Sequence, residues 1–290
     1  IVEAAHDGLK ELVHEQAAVK LGEGGINKGF IQDAAFERGI ACMKRYRELL
    51  EENAVKQVRV IGTSAIRNAK NGQDFIDDVK AQTGLAIEMI DGDAEAWYIY
   101  KGVRASGCLS GKNTLIVDIG GGSVEFIICN DREIYWKQSF EIGAARLMDR
   151  FHRTDPIPPD SITALEVYLK DCLADLFAAV KKHPVEDLAG SSGVFESYAG
   201  LIEKDKGKTF DLKKTKYYHF DKSTLPALIE KIILSTHQQR IAETGIIPVR
   251  VDMIVTASIL TRFVIRELAI QNVLMCTYSL KEGVLAEMMA

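Results

Sequence analysis

Between Leu115 and Ile128 the chain reads LIVDIGGGSVEFII, two apolar, β-branched runs of strand length around a short polar centre. Asp118 and Glu125 flank Gly120, Gly121, Gly122 and Ser123, so the stretch predicts a hairpin with one carboxylate on each arm. Three successive glycines leave no side chain between a ligand and the backbone N–H groups, and such a turn can close around an oxyanion. Carboxylates alone repel phosphate. With a divalent cation between them, or with one of them handling a water, the same pair becomes a phosphate-handling device. A hairpin whose glycines only satisfy positive φ, with both acids in solvent, accounts for the same letters and is the competing reading.

Three further stretches have residue types suited to the same task. Val58 to Ile61 reads as a short strand, and Gly62-Thr63-Ser64 turns it into a helix near Ala65, a junction where hydroxyls cap the helix or donate to an anion. Arg67 falls on the first turn of that helix, where a cation opposes the macrodipole unless an anion compensates it. A phosphoryl group is one such anion, and a nearby acid such as Asp91 is another. Asp91-Gly92-Asp93 then caps a helix from about Ala94 to Arg104, and Glu95 at its start is placed to act on a water. Gly190-Ser191-Ser192-Gly193 is a second strand-to-helix glycine turn, able to meet phosphate or sugar. His219 and His237 offer no zinc spacing.

The elements that must carry these residues alternate between strand and helix. Ile1 to Ala4 and Lys10 to Ala18 read as strands joined at His6-Asp7-Gly8, followed by a helix over Ile31 to Glu52. After the hairpin come a strand over Ile134 to Glu141, a helix to Phe151, and one long helix over Asp160 to Lys182. Lys204 to Tyr218 reads as an exposed hairpin, Ser223 or Thr224 as a helix cap, Val273 to Tyr278 as the last strand and Leu280 to Met289 as the closing helix. The small, polar run SGCLSGKN at Ser106 to Asn113 marks a boundary, which divides the chain into 1–111 and 112–290.

Composition sets the outer limits. The 290 residues exceed one average domain, and 47% hydrophobic with 27% charged residues of mixed sign suits packed cores. A formal charge of −5 supplies no basic field for nucleic acid, so an anionic substrate needs local Arg, Lys, amide or metal help. Cys42, Cys108, Cys129, Cys172 and Cys276 are scattered without CxxC, as in reduced thiols of a cytoplasmic protein. No apolar run reaches about 18 residues, so no membrane span is expected. The apolar stripes of the second-half helices are enough to support a homodimer.

Taken together, these motifs resemble the exopolyphosphatase and guanosine pentaphosphate phosphatase family, a branch of the actin, sugar-kinase and Hsp70 ATPase superfamily. VDIGGGSVEF at Val117 to Phe126 is similar to the family's second phosphate loop, with Val124 in place of a usual Thr. GTSAIRNAKN at Gly62 to Asn71 resembles its TSALRDA element, which puts Arg67 on the phosphate-binding arginine. DGDAEAWYIYKGV at Asp91 to Val103 resembles SGxEEARLIYxGV, which puts the catalytic glutamate on Glu95 and Ala94 on the neighbouring acid. SFEIGAARLMDRF at Ser139 to Phe151 and KEGVL at Lys281 to Leu285 resemble two further family elements. Gly190-Ser191-Ser192-Gly193-Val194 departs from GTGGT, Ala257 replaces a usual glycine, and the family's first phosphate loop, DIGSNT, is expected just ahead of Ile1.

The resemblance implies an α/β fold of two ribonuclease H-like, actin-like domains with a substrate cleft between them. It implies a hydrolase that releases terminal phosphate from inorganic polyphosphate or guanosine pentaphosphate. On this reading Glu95 and Arg67 are catalytic, Asp118 and Glu125 hold Mg²⁺ or Mn²⁺, and Ser64, Arg67, Gly120 to Ser123, Gly190 and Ser191 bind phosphate. A non-catalytic binder of polyphosphate or guanosine polyphosphate, and a kinase or ATPase of the same superfamily, are the alternatives. Nucleic acid and membranes are not expected partners.

Overall fold

The computed structural model describes residues 1–5, 8–191, 193–243 and 245–289. It divides into two compact units, Ile1–Ile90 and Asp91–Ala290. The expected division after 111 lies inside the second unit. The reason is helix Gly92–Ser106, which packs on that unit's sheet and on its terminal helix, with Gly102 against the Ser279 backbone and Gly283 against that of Tyr98.

The first unit has an antiparallel pair, β1 (Val2–Ala5) and β2 (Gly8–Glu11), shorter than the strand expected over Lys10 to Ala18. The turn expected at His6-Asp7-Gly8 has His6 and Asp7 outside the described residues. There follow α1 (Asp33–Glu52), β3 (Val60–Gly62), α2 (Ser64–Arg67), α3 (Gly72–Thr83) and β4 (Ile87–Met89), with β3 and β4 parallel. Ile31, Ala35, Ile40, Ile66, Phe75, Val79 and Leu85 form its core. Asn71 ties α3 to the entry of α1 through two bonds of 2.9 Å with the Ile31 backbone.

The second unit runs α4 (Gly92–Ser106), β5 (Thr114–Ile119), β6 (Val124–Cys129), β7 (Ile134–Phe140), α5 (Ala144–Phe151), α6 (Pro159–Cys172), α7 (Ala174–Lys182) and β8 (Asp187–Gly190). It closes with α8 (Gly193–Asp205), β9 (Tyr217–His219), α9 (Thr224–Ile233), α10 (His237–Ala242), α11 (Ile254–Glu267), β10 (Asn272–Cys276) and α12 (Leu280–Met288). One six-stranded sheet of order β7-β6-β5-β8-β10-β9 organises it. Several expectations shift. The long helix over Asp160 to Lys182 breaks at Leu173 into α6 and α7. The hairpin expected over Lys204 to Tyr218 is instead the end of α8, a loop and β9, which joins the sheet edge beside β10. Neither Ser223 nor Thr224 caps α9 with its side chain; Asp221 accepts from both backbone N–H groups, at 2.9 and 3.2 Å.

Strand periodicity decides which residues meet. Side chains of a strand alternate between faces. Leu115, Val117, Ile119, Val124, Phe126 and Ile128 pack on one face among the large core that includes residues of α5 to α9 and α11. Ile116, Ile127, Cys129, Ala189, Leu274 and Cys276 pack on the other, against Ala96, Ile99, Tyr100 and Val103 of α4. By the same alternation Asp118 and Glu125 belong to the α4 face.

Candidate active site

Asp118 and Glu125 are directly opposed in the β5/β6 ladder. Such partners place their Cβ atoms about 4.5–5.5 Å apart on one face. Glu125 is in turn opposite Ser139 on β7, whose hydroxyl donates to Oε1 at 2.6 Å. Glu95 comes to the same place from the first turn of α4, a helix capped by Asp91, which accepts from the Ala94 N–H at 2.8 Å. Glu95 and Glu125 are only 7% and 2% exposed and Asp118 is half-buried, so the hairpin acids do not both sit in solvent.

Burial and neighbouring like charge raise the proton affinity of Asp118 and Glu125. Burial, with the charge of Glu95, pushes Asp118 up to about 7, against the hydroxyls of Ser191 and Ser279, which favour its charged form. Burial, then Glu95 and Asp118, push Glu125 up to about 8, against Ser139 and Ser123. Ser191 Oγ donates to Asp118 at 2.8 Å, and the Ser191 N–H continues the β5 pairing onto the Val117 carbonyl at 3.0 Å. Glu196 of α8 adds to the negative field at Asp118 and is itself held by Arg250 at 2.8 Å.

The glycine turn has a specific construction. None of Gly120, Gly121 and Gly122 is left-handed, so positive φ is not what requires them. The start of α5 instead lies against the turn: Gly143 donates to the Gly122 carbonyl at 3.1 Å, Ala144 to Gly120 at 2.9 Å and Ala145 to Gly121 at 2.9 Å. A Cβ at Gly143 would collide with the Gly121 and Gly122 backbone. Arg146 completes the clamp, donating to the Gly122 carbonyl at 2.9 Å and to Glu141 at 2.8 Å. With the carbonyls tied back, the N–H groups of Gly121 and Gly122 have no protein acceptor among the described residues. The Gly120 N–H is committed to the Ser123 carbonyl at 3.0 Å, so it is not one of the available donors.

The structure therefore brings Glu95, Asp118, Glu125, Ser123 and Ser191 together around one end of β5 and β6. At Gly190 a side chain would run into the Phe195 ring. Ser192 of the same turn is outside the described residues. Arg67 ends the single-turn helix α2 rather than opening a longer one, and its Nη1 donates to the Ile90 carbonyl at 3.0 Å. Ser64 is buried and accepts from Asn68 at 3.1 Å. Among the described residues no three His, Cys, Asp or Glu side chains form a ready-made metal cage, and no helix is long and apolar enough to cross a membrane. Next to Glu196 and Arg250 opens a cavity of about 280 Å³, lined also by Ser197, Lys204, Lys208 and Phe210.

Sequence reasoning missed Ser139, Ser279, Glu196 and the clamping role of Arg146. Ser279-Leu280-Lys281-Glu282 fits the S-x-x-E capping pattern, a signal that was there to be read.

The mixed α/β architecture and the glycine-turn site define a two-domain, actin-like fold. The chain belongs to the Ppx/GppA phosphatase family, whose model matches residues 1–290. Among solved structures it is similar to an exopolyphosphatase from Cytophaga hutchinsonii, with 39% identity, a TM-score of 0.96, and coverage of 99% of this chain and 92% of that one. The Aquifex aeolicus member of the family has the same fold at 23% identity, with a TM-score of 0.81 over 99% of this chain and 92% of that one. Over 87% of its residues the chain is 28% identical to a bifunctional 3-dehydroquinate synthase/phosphatase of Fusobacterium nucleatum, and it spans 38% of that protein's length.

Proposed function

We propose that this chain is a phosphoanhydride hydrolase that releases the terminal phosphate of inorganic polyphosphate or of guanosine pentaphosphate. The observation that carries the reading is the convergence of Glu95, Asp118 and Glu125 beside a glycine turn whose carbonyls are tied back and whose Gly121 and Gly122 amides lack protein acceptors. The likeness to the Cytophaga exopolyphosphatase supports the substrate class.

Asp118 and Glu125 offer hard oxygen donors from paired strands, the donor class that Mg²⁺ and Mn²⁺ take. Mg²⁺ usually keeps several waters and uses one or two carboxylates plus substrate phosphates. When bound, the cation offsets the negative charge that otherwise opposes attack on a polyanion. The chain's own groups do the rest. Gly121, Gly122 and Ser123 donate to the oxygens of the terminal phosphoryl group, where charge develops. Glu95 orients the attacking water and accepts its proton; a carboxylate is a weak base at neutral pH, so placing the water is the larger contribution. Arg67 and Ser64 are assigned to phosphate binding on their motif, and Lys204, Lys208 and Arg250 give the neighbouring cavity a cationic lining suited to the rest of a long anion.

The test is Glu95→Gln, which keeps size and removes the proton acceptor. Phosphate release from tripolyphosphate and from guanosine pentaphosphate should fall by about 10²–10⁴-fold in kcat, with KM changed by less than about threefold. A variant that turns over at the parental rate removes Glu95 from the chemistry.

A further inference from the structure

We propose that Ser139 is a positioning residue of this site: its hydroxyl holds Glu125, and its contact with α4, with that of Ser279 further along the helix, sets Glu95 in register with the paired strands. The effect on turnover rests on the hydrolase reading above; the effect on metal binding does not.

The two serines lie on different strands or loops, yet helix α4 touches both through glycines. A Cβ at Gly92 would run into the Cβ of Ser139, and a Cβ at Gly102 into the Ser279 carbonyl. At 1.5 Å per residue these contacts are about 15 Å apart along the helix, with Glu95 between them. A helix seated at both ends cannot slide or roll without a backbone collision. Gly283, against the Tyr98 carbonyl, closes the same crossing from α12.

Each hydroxyl is also constrained. Ser139 Oγ donates to Glu125 Oε1 at 2.6 Å from the directly opposed position on β7. Ser279 Oγ accepts the Leu280 N–H at 2.6 Å as the cap of α12, and Glu282 returns to the Ser279 N–H at 2.9 Å. A hydroxyl has one proton. At Ser139 that proton goes to Glu125. Neither serine belongs to a glycine turn, so their task is separable from phosphate binding. Partners of metal-binding carboxylates act in this way, by fixing the rotamer in which the oxygen atoms are presented.

The experiment compares Ser139→Ala, Ser279→Ala and Ser279→Thr with the parent in the full chain. Mn²⁺ binding is read by calorimetry, phosphate release from tripolyphosphate by kinetics, and folding by thermal melts. Alanine at 139 keeps the Cβ that meets Gly92 and removes only the hydroxyl. Ser139→Ala should bind Mn²⁺ about 10-fold more weakly or worse, with kcat falling and KM near the parental value at saturating metal. Ser279→Ala loses the cap of α12 and Ser279→Thr keeps one, so this pair shows in the melts and titrations what helix capping alone costs. Parental Mn²⁺ affinity in Ser139→Ala overturns the proposal whatever the kinetics. A parent that binds Mn²⁺ but hydrolyses nothing sinks the hydrolase reading, and the titrations then decide the positioning role by themselves.

Discussion

Metal-free protein should lose stability as pH rises from 5 to 8, the reverse of the usual behaviour of salt-bridged carboxylates. Asp118 is raised from 3.8 to about 7 and Glu125 from 4.5 to about 8. Between those values the folded chain holds a proton that the unfolded chain has released, so folding is favoured at the acid end and that advantage is lost as pH climbs. From pH 5 to 8 each group accounts for a loss on the order of 3 kcal/mol, at about 1.4 kcal/mol per pKa unit. The total is below the sum, because part of the Glu125 shift is the charge of Asp118. His152, lowered by burial and by Arg240, works in the opposite direction near its own titration and must be subtracted. The assay is urea unfolding at pH 5, 6, 7 and 8 in EDTA, with an Asp118→Asn, Glu125→Gln double variant as the reference. The parent should lose several kcal/mol relative to that reference, and excess Mg²⁺ should return much of the loss at pH 8 by binding the ionised pair. Equal pH slopes for parent and double variant in EDTA would refute the account of two acids, Asp118 and Glu125, that keep their protons in the folded chain.

Gly283→Ala pushes a methyl group into the Tyr98 carbonyl and should lower stability by about 1–3 kcal/mol; an unchanged melting temperature would show that the α4/α12 crossing can open. Arg146→Ala removes bonds to the Gly122 carbonyl and to Glu141. It should raise KM for tripolyphosphate more than it changes the far-ultraviolet spectrum, since the turn loses its clamp; parental KM would mean that the α5 amides suffice. Arg67→Ala should cost kcat/KM about 10- to 100-fold, the equivalent of a charged hydrogen bond of about 1.5–3 kcal/mol, with both kcat and KM affected; parental values would withdraw the assignment based on its motif.

Much of the chemistry was legible because it is local. Asp118 and Glu125 are separated by a tight turn, so alternation within two short strands is enough to put them opposite each other, and Glu95 is identified by its place one turn after an Asp cap. The compact units part at Ile90 and the helix expected over Asp160 to Lys182 breaks at Leu173, for a common reason. Residue types at Ser106 to Asn113 and around Leu173 say what a segment tolerates, whereas the outcome depends on what α4 and α6 pack against. Lys204 to Tyr218 misled in the same way: its charges suit an exposed turn, but Tyr217 to His219 finds an unpaired edge at β10.

What the letters hid most completely is the support of the acids. Ser139 faces Glu125 only in the register that β7 adopts, a register shifted by an irregularity at Ile128 and Cys129. Ser279 comes near Asp118 only because Gly102 and Gly283 let two helices approach with their backbones in contact. Glycines in mid-helix ordinarily weaken it, by roughly 1 kcal/mol relative to alanine, so at Gly102 and Gly283 a local cost is set against a tertiary gain. The reacting groups can thus be read from short motifs, while the groups that aim them, Ser139 and Ser191, come from other strands or their ends and are found only through sheet register.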